Sequence, residues 1–173
     1  MTSLEIRKGS IDGFYELTTA CFEDDRGFLA RIFDERFFHD HNLPHQWMEI
    51  SHHFTKKKRT LRGMYVQAPP FSEGKLLRVI RGEMLWVSVD VRKDSKTFGI
   101  WDSVILSGAK KNLLCTVRGL AHGCISLSDD IDLLINSDNF FSADHGMGFC
   151  WNDPTLAIDW KLSEDEPSLS PRD

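Results

Sequence analysis

Histidine and acidic residues come together at one point of the chain, where they could ligate a metal ion. Glu49 is followed by His52 and His53, and imidazole and carboxylate groups are common ligands of iron and manganese. Adjacent residues on a β-strand point to opposite faces, so His52 and His53 cannot both reach one ion unless the strand bulges. The segment lacks the His-x-His spacing that places two imidazoles on one face. We therefore expect no metal site.

A separate histidine, His122, lies in residues 119–128 (GLAHGCISLS) at the start of a β-prone run. Imidazole titrates near neutrality, which makes His122 a candidate general base. The alternative is a hydrogen-bonded histidine that only supports the start of a strand. The basic run 56–59 (KKKR) has two interpretations as well: a solvated loop, which we favour, or a surface that attracts a diphosphate.

The composition predicts a single globular domain over residues 1–173. Hydrophobic residues make up 41% and charged residues 27% of the 173 residues, which is typical of folded domains. The net charge of −5 argues against nucleic-acid binding, which requires a basic excess. No apolar run approaches the ~18 residues of a membrane span. The N-terminal residues show no signal-peptide h-region, so we expect a cytoplasmic protein without membrane contact.

The four cysteines also suggest a reducing compartment. They lie at positions 21, 115, 124 and 150, with no CxxC pair and no regular disulfide spacing. Free thiols in a cytosolic protein are therefore expected.

Short β-prone runs that would position these side chains follow one another from residue 76 onward. They are 76–80 (LLRVI), 84–91 (MLWVSVDV), 100–106 (IWDSVIL), 113–117 (LLCTV), 131–135 (IDLLI) and 156–160 (LAIDW). Several of them alternate apolar and polar residues, as half-buried strands do, and glycines separate them. This pattern predicts an all-β antiparallel sandwich or barrel. Residues 34–41 (DERFFHDH) are the main helical candidate, with Asp34 as the N-cap, and a short C-terminal helix is also considered.

Four segments, read in order, resemble the dTDP-4-dehydrorhamnose 3,5-epimerase family of the cupin superfamily. The segments are 22–28 (FEDDRGF), 61–67 (LRGMYVQ) with 74–78 (GKLLR), 89–99 (VDVRKDSKTFG), and 119–128 (GLAHGCISLS) with 151–160 (WNDPTLAIDW). The resemblance implies a cupin-type jelly-roll β-sandwich with a few short helices, a homodimer, and no metal or redox cofactor. It also implies a pocket inside the barrel for a nucleoside-diphosphate-linked 4-keto-6-deoxy sugar.

The chemistry implied by the resemblance is proton transfer beside a ketone. The 4-keto group acidifies the C–H bonds at C3 and C5, so a base can remove a proton and hydrogen-bond donors can stabilise the enolate. An acid then returns a proton to the opposite face. In the family a histidine in the LRGLHFQ pattern is the base, an aspartate near the C-terminus supports it, and a tyrosine after the AHG segment is the acid.

The two proton-carrying positions differ from the family pattern in this chain. The histidine position of LRGLHFQ holds Tyr65, and the tyrosine position of the EFLY-like pattern holds Ile135. The chain contains only two tyrosines, Tyr15 and Tyr65, so no nearby tyrosine replaces the lost one. Trp86 stands where many family members carry an aspartate, and residues 50–55 (ISHHFT) depart from the family's Q-x-N-x-S pattern.

Other positions match the family's pocket and are candidate site residues by resemblance. The resemblance assigns substrate binding to Arg26, Arg62, Lys75, His122 and Phe140, with Phe140 stacking on the nucleotide base. It gives Asp173 as the carboxylate partner of the base position.

Tyr65 is a poor replacement for histidine at neutral pH. A phenol titrates near 10 against about 6.5 for imidazole, so the phenolate costs about 4 kcal/mol at pH 7. Arg62 and Lys75 would lower the pKa of Tyr65 if they flank it, whereas Asp173 would raise it. Tyr65 is therefore either a working base or a pocket-lining residue, and Ile135 carries no proton at all.

These residues support three hypotheses. The first is a diverged nucleotide-sugar epimerase of deoxysugar synthesis for a surface polysaccharide of the O-antigen type, which inverts C3 with His122, Tyr65 or water as proton carriers. The second is a catalytically silent relative that binds a sugar nucleotide or a partner protein. The third is a carbohydrate-binding jelly roll with no nucleotide specificity. Function resides in the site, and this site is altered.

Overall fold

The computed structural model describes residues 4–162 and 166–171. Within these ranges the chain forms thirteen β-strands, one α-helix and one short 3₁₀ helix. The strands before residue 70 are β1 (Leu4–Lys8), β2 (Phe14–Thr19), β3 (Cys21–Asp24), β4 (Gly27–Ala30), β5 (Glu49–Thr55) and β6 (Leu61–Gln67). The later strands are β7 (Lys75–Arg81), β8 (Glu83–Asp90), β9 (Trp101–Ser107), β10 (Leu113–Thr116), β11 (Leu120–Ser126), β12 (Ile131–Ser137) and β13 (Gly146–Gly148).

Two antiparallel sheets form a β-sandwich. Sheet I has six strands in the order β1-β2-β10-β7-β12-β5, and sheet II has five in the order β13-β6-β11-β8-β9. A separate hairpin pairs β3 with β4. The all-β prediction is confirmed, and five of the six predicted strands coincide with β7, β8, β9, β10 and β12.

Strand β8 shows how the period-two pattern builds the core. Met84 and Trp86 face the space between the sheets, where they pack with residues of sheet I such as Leu133. Leu85 and Val87 point the other way and pack with Trp160 of the C-terminal segment. Because both faces are covered, β8 is buried over nearly its whole length.

The predicted helix is also confirmed, as α1 (Glu35–Asp40). The Asp34 side chain caps it by accepting a hydrogen bond of 3.3 Å from the Phe37 backbone N–H, which satisfies one of the free donors of the first turn. Phe37 and Phe38 are buried against the outer face of sheet I together with Leu17 and Leu76.

The prediction of a strand at residues 156–160 is wrong. The backbone turns at Ala157, whose φ is +47°, and the Leu156 N–H donates to the Asp153 carbonyl oxygen. The apolar residues of this segment instead cover the outer face of sheet II, where Trp160 is buried and 4% exposed. The predicted strands also did not include β1 to β4, β6 or β13.

A close approach of β6 and β11 positions the candidate site residues on sheet II. Gly63 has a φ of +114°, and a Cβ there would lie 2.7 Å from the Gly123 Cα and the His122 carbonyl oxygen. Only glycine fits this spacing and this backbone conformation. The register between β6 and β11 shifts next to it, so that His122 lies opposite Tyr65.

The remaining general expectations concern cysteines and membranes. Cys21, Cys115, Cys124 and Cys150 are free thiols; Cys115 and Cys124 are buried, whereas Cys150 is exposed. Neither helix formed by the described residues is long and apolar enough to span a membrane.

Candidate active site between the two sheets

The candidate site lies on the inner faces of the two sheets, where polar side chains interrupt the apolar core. Sheet II contributes Tyr65 from β6 and His122 from β11, which are direct cross-strand partners. Side chains of directly paired residues lie on the same face of a sheet. Cys124, which is two residues after His122 on β11, belongs to the core between the sheets. Because alternate residues of a strand share a face, His122 and its partner Tyr65 also point into this space.

His122 is held in place by stacking on an indole. Its ring centroid lies 5.2 Å from that of Trp86, with only 13° between the ring planes. Burial lowers the pKa of His122 from 6.5 to about 3, the nearby Lys75 cation acts in the same direction, and a hydrogen bond with the Leu120 backbone offsets part of the effect. His122 is therefore a neutral imidazole at pH 7, not a group that titrates near neutrality as the sequence suggested.

Lys75 supplies a buried cation on the opposite sheet. It is 8% exposed, and its ammonium lies 2.6 Å from Glu73 Oε1 and donates to Ser137 Oγ at 3.3 Å. Burial of a paired ammonium is costly unless further groups satisfy it. An anionic ligand between the sheets would add such a group close to His122.

Three buried polar atoms on sheet II have no hydrogen-bond partner among the described residues: Arg62 Nε, Trp86 Nε1 and Ser88 Oγ. Buried polar groups in folded proteins are normally paired, so each such group calls for an explanation. Arg62 lies opposite Cys124 and Ser88 lies opposite His122, which places all three atoms on the inner face. They suit a ligand rich in oxygen atoms, such as a sugar phosphate.

Ile135, the predicted acid position, is on the inner face of sheet I, where it packs against the core. On β12 it lies opposite Leu77 of β7 and Ser51 of β5. Ser51 is exposed although it faces inward, so core side chains do not fill this part of the sandwich. Ile135 therefore borders an open part of the interior without offering a proton.

His53 is an inner-face residue that the sequence analysis did not select as a site residue. On β5 it lies opposite Leu133 of the core, whereas His52 points outward and contacts Asp132 Oδ1 at 2.8 Å. The two histidines thus occupy opposite faces, as predicted. Burial, followed by the charge of Arg62 and then that of His52, lowers the pKa of His53 from its ordinary value.

The two remaining binding candidates lie farther out. Phe140 is 55% exposed and follows β12 in a loop that Gln67 of β6 holds, because Gln67 Nε2 donates to the Phe140 carbonyl oxygen at 3.1 Å. Arg26 is on the β3–β4 hairpin, with its side chain 90% exposed and paired with Asp24 at 2.5 Å. Its guanidinium thus does not lie among the inner-face residues described above.

Asp173 lies outside the described residues, so its predicted role as carboxylate partner is not addressed by the structure. Within the described ranges no three His, Cys, Asp or Glu side chains converge where a metal ion could be held. The site therefore combines a neutral imidazole, buried cations and free donors. This set can bind an anionic, oxygen-rich ligand, accept a proton from it and stabilise an oxyanion.

Comparison with known proteins identifies the family. The sequence profile of the dTDP-4-dehydrorhamnose 3,5-epimerase family matches residues 8–173. The dTDP-4-dehydrorhamnose 3,5-epimerase of Shigella flexneri is 36% identical over 152 residues, covering 88% of this chain and 83% of the relative.

Solved structures agree with the sequence comparison. The crystal structure of dTDP-4-dehydrorhamnose 3,5-epimerase from Bacillus anthracis with TDP and PPi bound superposes with a TM-score of 0.92 and 31% identity, covering 98% of this chain and 95% of that one. The epimerase of Legionella pneumophila, in complex with dTDP-4-keto-L-rhamnose, gives a TM-score of 0.90 and 32% identity, covering 97% and 88%. These matches also confirm the expected cupin-type jelly roll. The chain belongs to the dTDP-4-dehydrorhamnose 3,5-epimerase family.

Proposed function

We propose that this chain is a diverged nucleotide-sugar epimerase that binds a nucleoside-diphospho-4-keto-6-deoxyhexose and inverts its C3 centre. The observation that carries the proposal is the neutral His122 imidazole on the inner face of sheet II, close to the buried Lys75 cation. A base must be unprotonated to accept a proton, and an enolate needs positive charge nearby. The site supplies both without the family's histidine and tyrosine.

In the proposed reaction His122 accepts the proton from C3, and the electrons of the broken C–H bond move onto the 4-keto oxygen. Lys75 and Arg62 provide the charge that stabilises this oxyanion, and Trp86 keeps the imidazole in position through the stack. A bound diphosphate offsets the Lys75 charge that disfavours imidazolium. Binding of the substrate therefore makes His122 a stronger base than it is in the free protein.

The product would enter deoxysugar synthesis for a surface polysaccharide. A cytoplasmic location and a single domain over residues 1–173 complete this proposal, and both remain predictions.

A second candidate function is a silent relative that binds the sugar nucleotide without turnover. The observation that favours it is Ile135, which lies between Leu77 and Ser51 and cannot return a proton to the sugar. Such a protein would still bind the sugar nucleotide, because Lys75 and the unpaired buried donors are present on the inner faces.

Proton exchange in heavy water separates the two functions. We expect the purified chain, incubated with dTDP-, CDP- or GDP-linked 4-keto-6-deoxyglucose in D₂O, to introduce deuterium at C3 faster than a protein-free blank. NMR spectroscopy locates the label. A His122→Gln variant serves as the control and should reduce the rate about 100-fold or more, the usual size of a lost general base.

Absence of deuterium with all three carriers would rule out the epimerase. Calorimetric titration with the free nucleoside diphosphates then distinguishes the remaining possibilities. Binding of one nucleotide would support the silent relative, and no binding would support a carbohydrate-binding jelly roll.

We further propose a homodimer, in which the β3–β4 hairpin packs on the partner. The hairpin exposes Phe22 and Leu29, which are direct cross-strand partners and are 67% and 69% accessible, and an exposed apolar patch is typical of an interaction surface. In such a dimer Arg26 would contact the substrate that is bound in the partner's site.

The expected result is a dimer mass in size-exclusion chromatography with light scattering. A Phe22→Ser, Leu29→Ser double variant should shift the mass towards the monomer. A monomeric mass for the unaltered chain would contradict the proposed assembly.

A further inference from the structure

The inner face of sheet I carries His53, which lies in the segment 50–55 (ISHHFT) that departs from the family pattern. Its orientation follows from the register of β5 and β12. His53 pairs with Leu133, and Thr55 pairs with Ile131; both partners belong to the core between the sheets. The alternating residues His52 and Phe54 are exposed. His53 therefore points into the sandwich, where it is half-buried and lies 3.4 Å from the Thr55 hydroxyl.

His53 is next to the position that lost its proton carrier. Ile135 pairs with Ser51, and His53 is two residues farther along β5 on the same face. Such diagonal neighbours across a sheet are separated by about 7–8 Å, a distance that long side chains bridge. In the structure the His53 ring turns towards Thr55. Rotation about its side-chain bonds would bring the imidazole towards the space beside Ile135, which is open to solvent at Ser51.

On sheet II a cation, Arg62, is likewise displaced along its strand from the candidate base. Arg62 is one inner-facing position from the Tyr65–His122 pair, because it lies opposite Cys124. Arg62 and His53 lie on the inner faces of opposite sheets, and the charge of Arg62 contributes to the lowered pKa of His53. Stacked sheets are about 10 Å apart where side chains fill the space between them. The exposed Ser51 shows that the interior beside Ile135 is not filled in this way, so a ligand ring can enter there.

We propose that His53 is a catalytic acid of this chain, which donates a proton to C3 on the face opposite His122. The inference rests on the proposed epimerase function and replaces the missing tyrosine with a residue of another strand. The two histidines then act from opposite sheets, His122 from β11 and His53 from β5.

The proton balance of this step is complete without a further reactant. His122 takes the C3 proton and becomes imidazolium, while the bonding electrons move to the C4 oxygen of the enolate. The enolate electrons then form a new C–H bond with the proton of the His53 imidazolium, which leaves neutral imidazole and restores the ketone. Exchange with water returns the proton from His122 and recharges His53.

The charges around His53 explain why the donor works only when substrate is bound. Burial, Arg62 and His52 lower the pKa of the free His53 side chain, in that order. A diphosphate or an enolate oxygen beside Arg62 cancels the second of these effects. Substrate binding therefore favours the imidazolium form that the reaction requires.

The test compares two rates in D₂O with the dTDP-linked 4-keto-6-deoxyglucose: deuterium entry at C3 and formation of the C3 epimer. We expect His53→Gln to lower epimer formation about 100-fold while deuterium entry with retention stays close to the wild-type rate. His52→Gln changes the adjacent outward-facing histidine, which has the smallest of the three effects on the pKa of His53, and should change both rates far less than His53→Gln does. Thermal unfolding and light scattering check that each variant folds and assembles, with His53→Asn as the replacement if His53→Gln does not fold.

Three results would overturn the inference, and they differ from one another. Unchanged epimer formation in a folded His53→Gln variant would remove His53 as the donor and leave the proposed function intact. An equal loss of exchange and inversion would show that His53 acts in proton removal or binding and not as the donor. Absence of exchange in the wild-type protein would remove the epimerase function itself.

Discussion

Replacing Tyr65 with histidine and Ile135 with tyrosine is expected to raise the rate of C3 epimerisation about 100-fold or more above that of the unaltered chain. The two positions lie on facing sheets, β6 in sheet II and β12 in sheet I. The sequence resemblance predicts that they are the base and acid positions of the family pattern. A positioned acid or base contributes about 10²–10⁴-fold. The measurement is NMR detection of the epimer with the dTDP-linked 4-keto-6-deoxyglucose.

The matched control combines Tyr65→His with Ile135→Phe, which differs from the double variant only by the phenolic oxygen. We expect this control to exchange deuterium at C3 without the full gain in epimer. A folded double variant with no gain in either rate would contradict the assignment of these two positions.

The second large effect concerns stability in acid. Burial, with a smaller contribution from Lys75, lowers the pKa of His122 to about 3 in the folded chain from 6.5. The unfolded chain then binds more protons between these two values, so the free energy of unfolding falls as the pH decreases from about 6.5 towards 3. Between pH 7 and pH 5 this one group removes about 2 kcal/mol. Urea denaturation at the two pH values measures the loss.

His122→Gln provides the comparison, because glutamine does not titrate. The variant should lose about 2 kcal/mol less than the wild-type protein over the same interval, and contributions from other groups cancel in the difference. Equal losses would show that His122 is as easily protonated in the folded chain as in the unfolded one.

The strands of the second half of the chain could be predicted because their alternation reflects a real two-sided environment. In β8, for example, odd and even positions pack on different clusters. The same reasoning failed at residues 156–160, since a single covering segment that buries Trp160 produces a similar pattern without any strand partner. Alternation reports burial on one side, and it does not report hydrogen bonding to a neighbouring strand.

The site could be predicted only where it matched a family pattern. Tyr65, Ile135 and His122 were found in this way, and all three lie on inner faces. The sequence could also show that His52 and His53 point to opposite faces. It could not show which of them faces inward, because that depends on the pairing of β5 with β12.

The low pKa of His122 also could not be predicted from the sequence. Its low pKa results from burial and from Lys75, which is distant along the chain and lies on the other sheet. A sequence motif identifies a residue type, whereas proton affinity depends on neighbours that the fold brings together.

The contact of Gly63 with Gly123 limits how this barrel can acquire new chemistry. Any larger residue at Gly63 would meet backbone atoms at 2.7 Å and force β6 away from β11, which would separate the positions of Tyr65 and His122. Glycine thus fixes the spacing of these two strands, whereas side chains on the inner faces can change without altering it. A proton carrier that is missing from one strand can then be replaced by a residue of another strand that already faces the same space.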